Sequence, residues 1–154
     1  MSQWAARSLL SLVGGIVLAL TIGISSAAAA PDGARAHLTA VSGTGSGLVL
    51  IAPTAADHGT FAVQITVNIH GASPDMTYVV SRAVDLNPDG ICTLASGWLT
   101  NGPLQTSAAG AGAAHFEVHR GAPFVSGVRF DVEFRAVGAD GTELRSDCVT
   151  ITVK

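Results

Sequence analysis

The chain has 154 residues, of which 11 are acidic and 8 are basic, and its formal charge is −3. Lys154 is its single lysine, and the arginines are scattered along the sequence. Nucleic acids and anionic membrane surfaces select partners with clustered basic residues. The composition therefore argues against both of these functions.

The first 29 residues have the layout of a secretory signal peptide. Arg7 precedes an apolar run over residues 9–24, and Ala27 and Ala29 fit the small-x-small rule for cleavage after residue 29. The apolar run is shorter than the roughly 20 residues that a spanning helix needs. We therefore expect the segment to be removed.

Cleavage there leaves residues 30–154, which is the size of one domain with a single core. Because Arg7 is the one charged residue removed, 7 basic and 11 acidic residues remain, a formal charge of −4. We expect a secreted, extracellular protein without further contact with a membrane. The alternative is an uncleaved segment that anchors the protein in the cell envelope.

Two cysteines occur, Cys92 and Cys148. Disulfide bonds form and persist in oxidising compartments, so a secreted chain with two cysteines is predicted to pair them. On the chain-entropy model, closing so long a loop stabilises the fold by about 4 kcal/mol.

Alternation of apolar and polar residues predicts β-strands along the chain. In residues 60–70 the positions from Phe61 to Ile69 are apolar at every second residue, and residues 127–138 alternate in the same way opposite four charges of alternating sign. The polar faces of both strands are predicted to be solvated. The other predicted strands are residues 37–41, 47–52, 76–84, 98–106, 114–120 and 148–154.

Turn sequences rich in Gly, Pro, Asn and Asp separate these strands. No window of residues 30–154 has a clear apolar period of 3.6, so no helix is predicted. About seven or eight short antiparallel strands predict an all-β fold, an immunoglobulin-like β-sandwich. A small β-barrel is the alternative.

The segment from Pro74 to Arg82 has the pattern P-x-x-x-Y-x-V, with Tyr78 and Val80 at the last two fixed positions. This passage resembles fibronectin type III and related extracellular sandwiches, in which the tyrosine packs at a corner and bonds back to the chain. With the following cysteine and the stretch 99–116, the chain resembles small secreted bacterial sandwich proteins of unknown function. The resemblance implies a sandwich fold and a secreted location and assigns no site.

His115, Glu117 and His119 alternate along one predicted strand and so share one face of it. Imidazole and carboxylate groups are zinc ligands. A strand advances about 3.3 Å per residue, so the backbones of the two histidines lie roughly 13 Å apart, too far for all three residues to bind one ion. The metal hypothesis is therefore Glu117 with one histidine and a ligand from a neighbouring strand, for which His70 is the candidate.

A solvated, charge-paired face is the competing interpretation of the same residues. If the loop 120–126 closes a hairpin, Glu117 faces Arg129 and His115 faces Asp131. These are ordinary cross-strand charge pairs. We favour this interpretation over a metal site.

A second candidate cation site is the loop 85–90. Asp85, Asn87 and Asp89, followed by glycine, match the opening of a calcium loop, D-x-[DN]-x-[DN]-G. The position of the bidentate glutamate is occupied by Ser96, and no helix is predicted on either side. Asn-Pro-Asp-Gly is also a favourable type I turn, and the turn is the preferred interpretation.

Catalytic motifs are missing from the sequence. The stretch GTGSG at residues 43–47 lacks a glycine required by the nucleophile elbow and by the dinucleotide fingerprint, and no H-E-x-x-H occurs. We therefore predict a non-enzymatic protein without a cofactor. Its predicted role is binding or structural, with an unknown extracellular protein or cell-envelope component as partner, and a metal-binding secreted protein is the alternative.

Overall fold

The computed structural model describes residues 33–55, 61–94 and 96–154. The predicted signal peptide and its cleavage site lie outside these residues. All regular structure in the described part of the chain is β-strand. None of the described residues belongs to a helix with the length and apolar character needed to cross a membrane.

Nine strands form in the described residues, so the predicted strands are found and one more, β8, is added. β8 has four residues, which is too short for an alternating pattern to identify. The strands are β1 Ala34–Ser42, β2 Ser46–Ala55, β3 Phe61–His70, β4 Thr77–Asp85, β5 Leu99–Gln105, β6 Gly112–Arg120, β7 Arg129–Gly138, β8 Glu143–Ser146 and β9 Val149–Thr152.

All pairs of strands are antiparallel, and they form one sheet in the order β5-β4-β7-β8-β1-β2-β3-β6, with β9 also paired to β7. The end strands of this order, β5 and β6, follow each other in the chain and meet in space. The sheet is therefore nearly closed. The predicted all-β class is confirmed, and the closure fits the small-barrel alternative, whereas the sandwich is not confirmed.

The two end strands touch where residues 106–111 join them. A Cβ on Gly112 would lie 2.5 Å from the carbonyl oxygen of Gln105, and a Cβ on Gly102 would lie 2.8 Å from Cε1 of Phe116. Only glycine permits such approaches. Away from this junction, toward Leu99 and Arg120, no ladder of described residues joins β5 to β6. We call this gap the seam.

The core lies inside the barrel because every second residue of each strand points inward. In β3 the inward residues run from Phe61 to Ile69, and all of them are buried. Burying a large apolar side chain stabilises a fold by about 1.5 to 3 kcal/mol. The largest fully buried side chains are Tyr78, Phe134, Leu38, Ile65, Leu104, Leu144, Ile151, Val49, Val67 and Val80.

Tyr78 has the corner contacts that the sequence pattern implied. Its ring is fully buried, and its hydroxyl oxygen accepts hydrogen bonds from the backbone N–H of Ser73 at 3.2 Å and from the hydroxyl of Thr142 at 3.1 Å. The strand β4 is thereby tied both to the loop before it and to the loop between β7 and β8.

The predicted hairpin between β6 and β7 is wrong. β6 pairs with β3, so Glu117 lies opposite Gln64 and His115 lies opposite Thr66 rather than opposite residues of β7. β7 is flanked by β4 on one side and by β8 and β9 on the other. Alternation determines which face of a strand is polar, but it does not determine the neighbouring strand.

The prediction that the polar face of β7 is solvated is also wrong. Asp131 is fully buried and Glu133 is 7% exposed. Both carboxylates accept hydrogen bonds, Asp131 from the backbone N–H of Gly90 at 2.6 Å and Glu133 from the guanidinium of Arg145. The connection between β4 and β5, residues 86–98, therefore lies over this face.

The predicted disulfide bond between Cys92 and Cys148 is present, with the two Cα atoms 5.6 Å apart. It ties the 86–98 connection to the segment between β8 and β9. At the end of the connection, the Trp98 ring lies against the guanidinium groups of Arg135 and Arg145, whose central carbons are 4.4 Å and 5.3 Å from the ring centroid. Together these contacts hold the connection on the outside of the barrel.

Candidate functional site

The candidate metal ligands of β6 lie on the outer surface of the barrel. Nε2 of His119 is 3.0 Å from Oε1 of Glu117, and both side chains are more than half exposed. His115 points the same way, but its Nδ1 is 2.9 Å from the hydroxyl of Thr66. The structure thus brings together Glu117 and one histidine.

His70 does not join this pair, although β3 is the neighbour of β6. Its Nε2 is 2.9 Å from the hydroxyl of Ser46, and it lies four residues along β3 from Thr66, the partner of His115. Four residues of strand span about 13 Å. Within the described residues, no three His, Cys, Asp or Glu side chains are grouped so as to hold a metal ion. The metal site stays a prediction resting on two side chains.

The carboxylates of the loop 85–90 accept hydrogen bonds from the loop itself and from the residues that follow it. Oδ2 of Asp85 accepts hydrogen bonds from the hydroxyl and the N–H of Thr93, and Oδ1 accepts one from the N–H of Asn87 at 3.0 Å. These bonds, that of the Thr93 hydroxyl first, lower the pKa of Asp85 below its ordinary value. Asp89 likewise accepts from the N–H of Ile91 at 2.9 Å. The arrangement is that of a turn closed by side chains.

A cleft of about 420 Å³ opens at the seam. Sites for small molecules in proteins measure roughly 300 to 1,000 Å³. Four apolar side chains form most of its wall, namely Val84, Leu86, Leu99 and Phe124, and the remaining lining residues are Asp85, Ser96 and Arg120. The cleft is thus large enough and apolar enough to hold a small organic molecule.

Phe124 closes this end of the barrel between the cleft and the core. Its ring centroid is 6.2 Å from that of Phe61 and 5.1 Å from that of Phe130. Aromatic pairs in this distance range stabilise one another beyond the area that they bury. The wall between the cleft and the core is therefore a packed aromatic cluster.

A smaller cavity of about 30 Å³ adjoins the cleft. The two share Val84, Arg120 and Phe124 as lining residues. The inner cavity is otherwise lined by core side chains and by Arg82. Space of this size holds about two water molecules. The cleft therefore leads toward a buried guanidinium group.

Arg82 points into the barrel, on the same face of β4 as Tyr78 and Val80, and it is 6% exposed. Its guanidinium donates a hydrogen bond to Oδ1 of Asn101. No acidic side chain in the described part of the chain forms a salt bridge with Arg82 or with Arg120. A buried charge without a counter-charge is costly, and proteins normally avoid it.

Burial lowers the pKa of Arg82 to about 10, and the positive charge of Arg120 contributes a smaller lowering. A pKa of about 10 still leaves the guanidinium charged at neutral pH. Arg120 itself is exposed and donates one hydrogen bond to the carbonyl oxygen of His119 at 3.2 Å. The inner cavity therefore carries positive charge from two side chains.

Asn101 adds an unused hydrogen-bond donor beside Arg82. Its Oδ1 accepts from Arg82, whereas its buried Nδ2 has no partner among the described residues. Leaving a buried donor unpaired costs about 1 to 3 kcal/mol, and such groups are few in folded proteins. The guanidinium and this amide together offer donors without a matching acceptor.

Sequence reasoning missed Arg82, although the sequence contains a signal for it. Tyr78, Val80, Arg82 and Val84 occupy every second position of β4, so one face of the strand is apolar except for the arginine. A charged residue on an otherwise apolar face is a candidate functional residue because it is costly to bury. Leu86 and Phe124 lie in loops and carried no such signal.

Comparison of the chain with protein-family models, with curated proteins and with solved structures gives no match. The interpretation of the seam cleft therefore rests on its own geometry and chemistry.

Proposed function

We propose that the protein is a secreted, non-enzymatic binding protein that takes up a small, partly apolar ligand in the seam cleft. The observation that carries the proposal is the cleft of about 420 Å³ itself, with its apolar wall and its adjoining inner cavity. The mouths of small β-barrels are common places for such ligands.

Exposed apolar side chains at the rim support the proposal. Leu86 is 55% exposed and Leu99 is 37% exposed. A ligand that covers them removes apolar surface from water, at about 25 cal/mol for each Å². The rim therefore supplies a driving force for binding that the free protein does not use.

The disulfide bond supports the extracellular part of the proposal. Disulfides persist in oxidising environments and are rare in the cytosol. Together with the predicted signal peptide, the bond between Cys92 and Cys148 favours a protein that works outside the cell.

The proposal is tested with N-phenyl-1-naphthylamine, a neutral apolar dye whose fluorescence rises in an apolar site. We expect the purified protein to bind the dye and the Leu86→Asn variant to bind it several-fold more weakly, because loss of one buried apolar side chain costs about 1 to 3 kcal/mol. Val41→Asn is the matched control, since Val41 is 63% exposed and lies outside the cleft.

Equal loss of binding in both variants would show that the dye binds exposed apolar surface in general. Absence of any fluorescence increase would overturn the proposal. Retained dye binding in the control and weakened binding in Leu86→Asn would support it.

A further inference from the structure

The charged side chains that line the seam cleft differ between its outer part and the inner cavity. Asp85 lines the outer cleft, and its oxygens already accept hydrogen bonds from Asn87 and Thr93. Arg82 lines the inner cavity, and Arg120 lines both. A negatively charged group is therefore disfavoured in the outer part and favoured in the inner part.

The inner cavity has the chemistry of an anion site. Its guanidinium groups belong to residues 82 and 120, and apolar side chains such as Val63 and Val118 form much of the remaining wall. In an apolar surrounding, charges interact more strongly than in water. Guanidinium groups match the planar geometry of a carboxylate and bind it through paired hydrogen bonds.

The two volumes divide an amphipathic ligand into two parts. The inner cavity of about 30 Å³ has room for a group the size of a carboxylate, and the outer cleft of about 420 Å³ has room for an apolar chain. The shared lining by Val84 and Phe124 places an apolar passage between them.

We propose that the ligand of the seam cleft is a small organic anion, an apolar chain that ends in one carboxylate, and that this carboxylate binds between Arg82 and Arg120. The inference rests on the proposed function, because it names the chemistry of the ligand for the same cleft. The buried and otherwise uncompensated charge of Arg82 is the feature that a neutral ligand leaves unexplained.

Calorimetric titration of the purified protein with octanoate, octanamide and acetate tests the inference. Octanamide has nearly the shape of octanoate without its charge, and acetate has the charge without the chain. We expect octanoate to bind about tenfold more tightly than either, because hydrogen bonds to charged groups contribute about 1.5 to 3 kcal/mol.

Two variants locate the carboxylate. Arg82→Met keeps the unbranched stem of the side chain and removes the guanidinium, and Arg120→Gln removes the charge of an exposed residue. We expect each to weaken octanoate binding about tenfold and to leave octanamide binding unchanged. Arg35→Gln, which removes an exposed arginine from the outer face of β1, is the matched control and should change neither.

Equal affinity for octanoate and octanamide would overturn the inference while leaving the proposed function in place. Binding of neither compound, together with no binding of the neutral dye, would overturn both. A preference for octanoate that survives both Arg82→Met and Arg120→Gln would also overturn the inference, because the charge that selects the anion would then lie elsewhere.

Discussion

The two ends of the barrel differ in how their polar groups are paired. At the closed end, around Ala72 and Gly110, donors and acceptors of neighbouring loops bond to one another. At the seam end, Arg82 carries a charge that no acidic side chain in the described residues compensates. The closed end is built for stability, whereas the seam end retains an arrangement that costs stability.

The closed end is dense in short contacts between loops. The N–H of Ala72 donates to the carbonyl oxygen of Gly110 at 3.1 Å, and the hydroxyl of Thr106 donates to the carbonyl oxygen of Ser73 at 2.7 Å. The N–H of Met76 donates in turn to the same hydroxyl of Thr106 at 2.8 Å. These polar groups are therefore paired with one another, which is the usual condition of a folded interior.

This difference teaches where function is to be sought in a small barrel. Proteins satisfy local rules of pairing and packing almost everywhere and break them at functional sites, where the cost is offset by the rest of the fold. The closed end follows those rules and the seam end breaks them. Substitutions that break contacts at the closed end should therefore lower stability, whereas removal of the uncompensated charge at the seam end should raise it.

The largest effect is expected for Gly110→Ala at the closed end. Gly110 has a φ of +70°, and a Cβ there would lie 2.2 Å from the carbonyl oxygen of Ala72. Positive φ and the steric clash together should lower the free energy of unfolding by about 3 kcal/mol or more. Urea denaturation followed by circular dichroism measures this change.

Gly97→Ala is the matched control, since Gly97 has a φ of +63° and nothing within 4 Å of its Cβ position. We expect a loss of about 1 to 2 kcal/mol from the backbone conformation alone. Equal losses in the two variants would mean that the close approach of residue 110 to Ala72 does not matter for stability.

A smaller effect is expected for Tyr78→Phe. The change removes the hydroxyl that accepts hydrogen bonds from Ser73 and Thr142 and leaves the ring in place. The half-buried backbone N–H of Ser73 then loses its partner, which should lower the free energy of unfolding by about 1 to 2 kcal/mol. A variant as stable as the original protein in urea would show that the corner does not stabilise the closed end.

The smallest effect, and one of opposite sign, is expected for Arg82→Met in the absence of ligand. The substitution removes a buried charge without a counter-charge, and such replacements are neutral or stabilising. Because the substitution also takes away the donor that Oδ1 of Asn101 accepts from, we expect the free energy of unfolding to rise by no more than about 1 kcal/mol. A clear loss of stability in urea would instead assign Arg82 a structural role.

Much of the fold could be predicted because its signals are local. The alternation in residues 60–70 gave β3 and its inward side chains correctly, and the two cysteines gave the disulfide bond. The burial of the polar face of β7 beneath the connection between β4 and β5 could not be predicted from such a local signal. Asp131 and Glu133 have the spacing of solvated residues, and their burial depends on the 86–98 connection, which is distant from them in the sequence.

The candidate site was harder to predict than the fold. Glu117 and His119 do form the expected pair on one face of β6, but their neighbours come from β3 through a pairing that alternation does not determine. The seam cleft requires the ends of β4, β5 and β6 to meet with a loop that contains Phe124. Which strand ends lie side by side depends on the topology of the sheet, which the sequence pattern does not determine. Arg82 was the one lining residue that the sequence pattern could have identified.

Trp98 gives the barrel a built-in optical reporter. The sequence contains two tryptophans, Trp98 and Trp4, and Trp4 belongs to the predicted signal peptide. If residues 1–29 are removed as the sequence predicts, the indole emission of the protein comes from Trp98, which adjoins Leu99 at the rim of the cleft and lies against Arg135. We therefore expect a ligand that covers Leu99 to change the emission of Trp98, so that binding could be measured without a label.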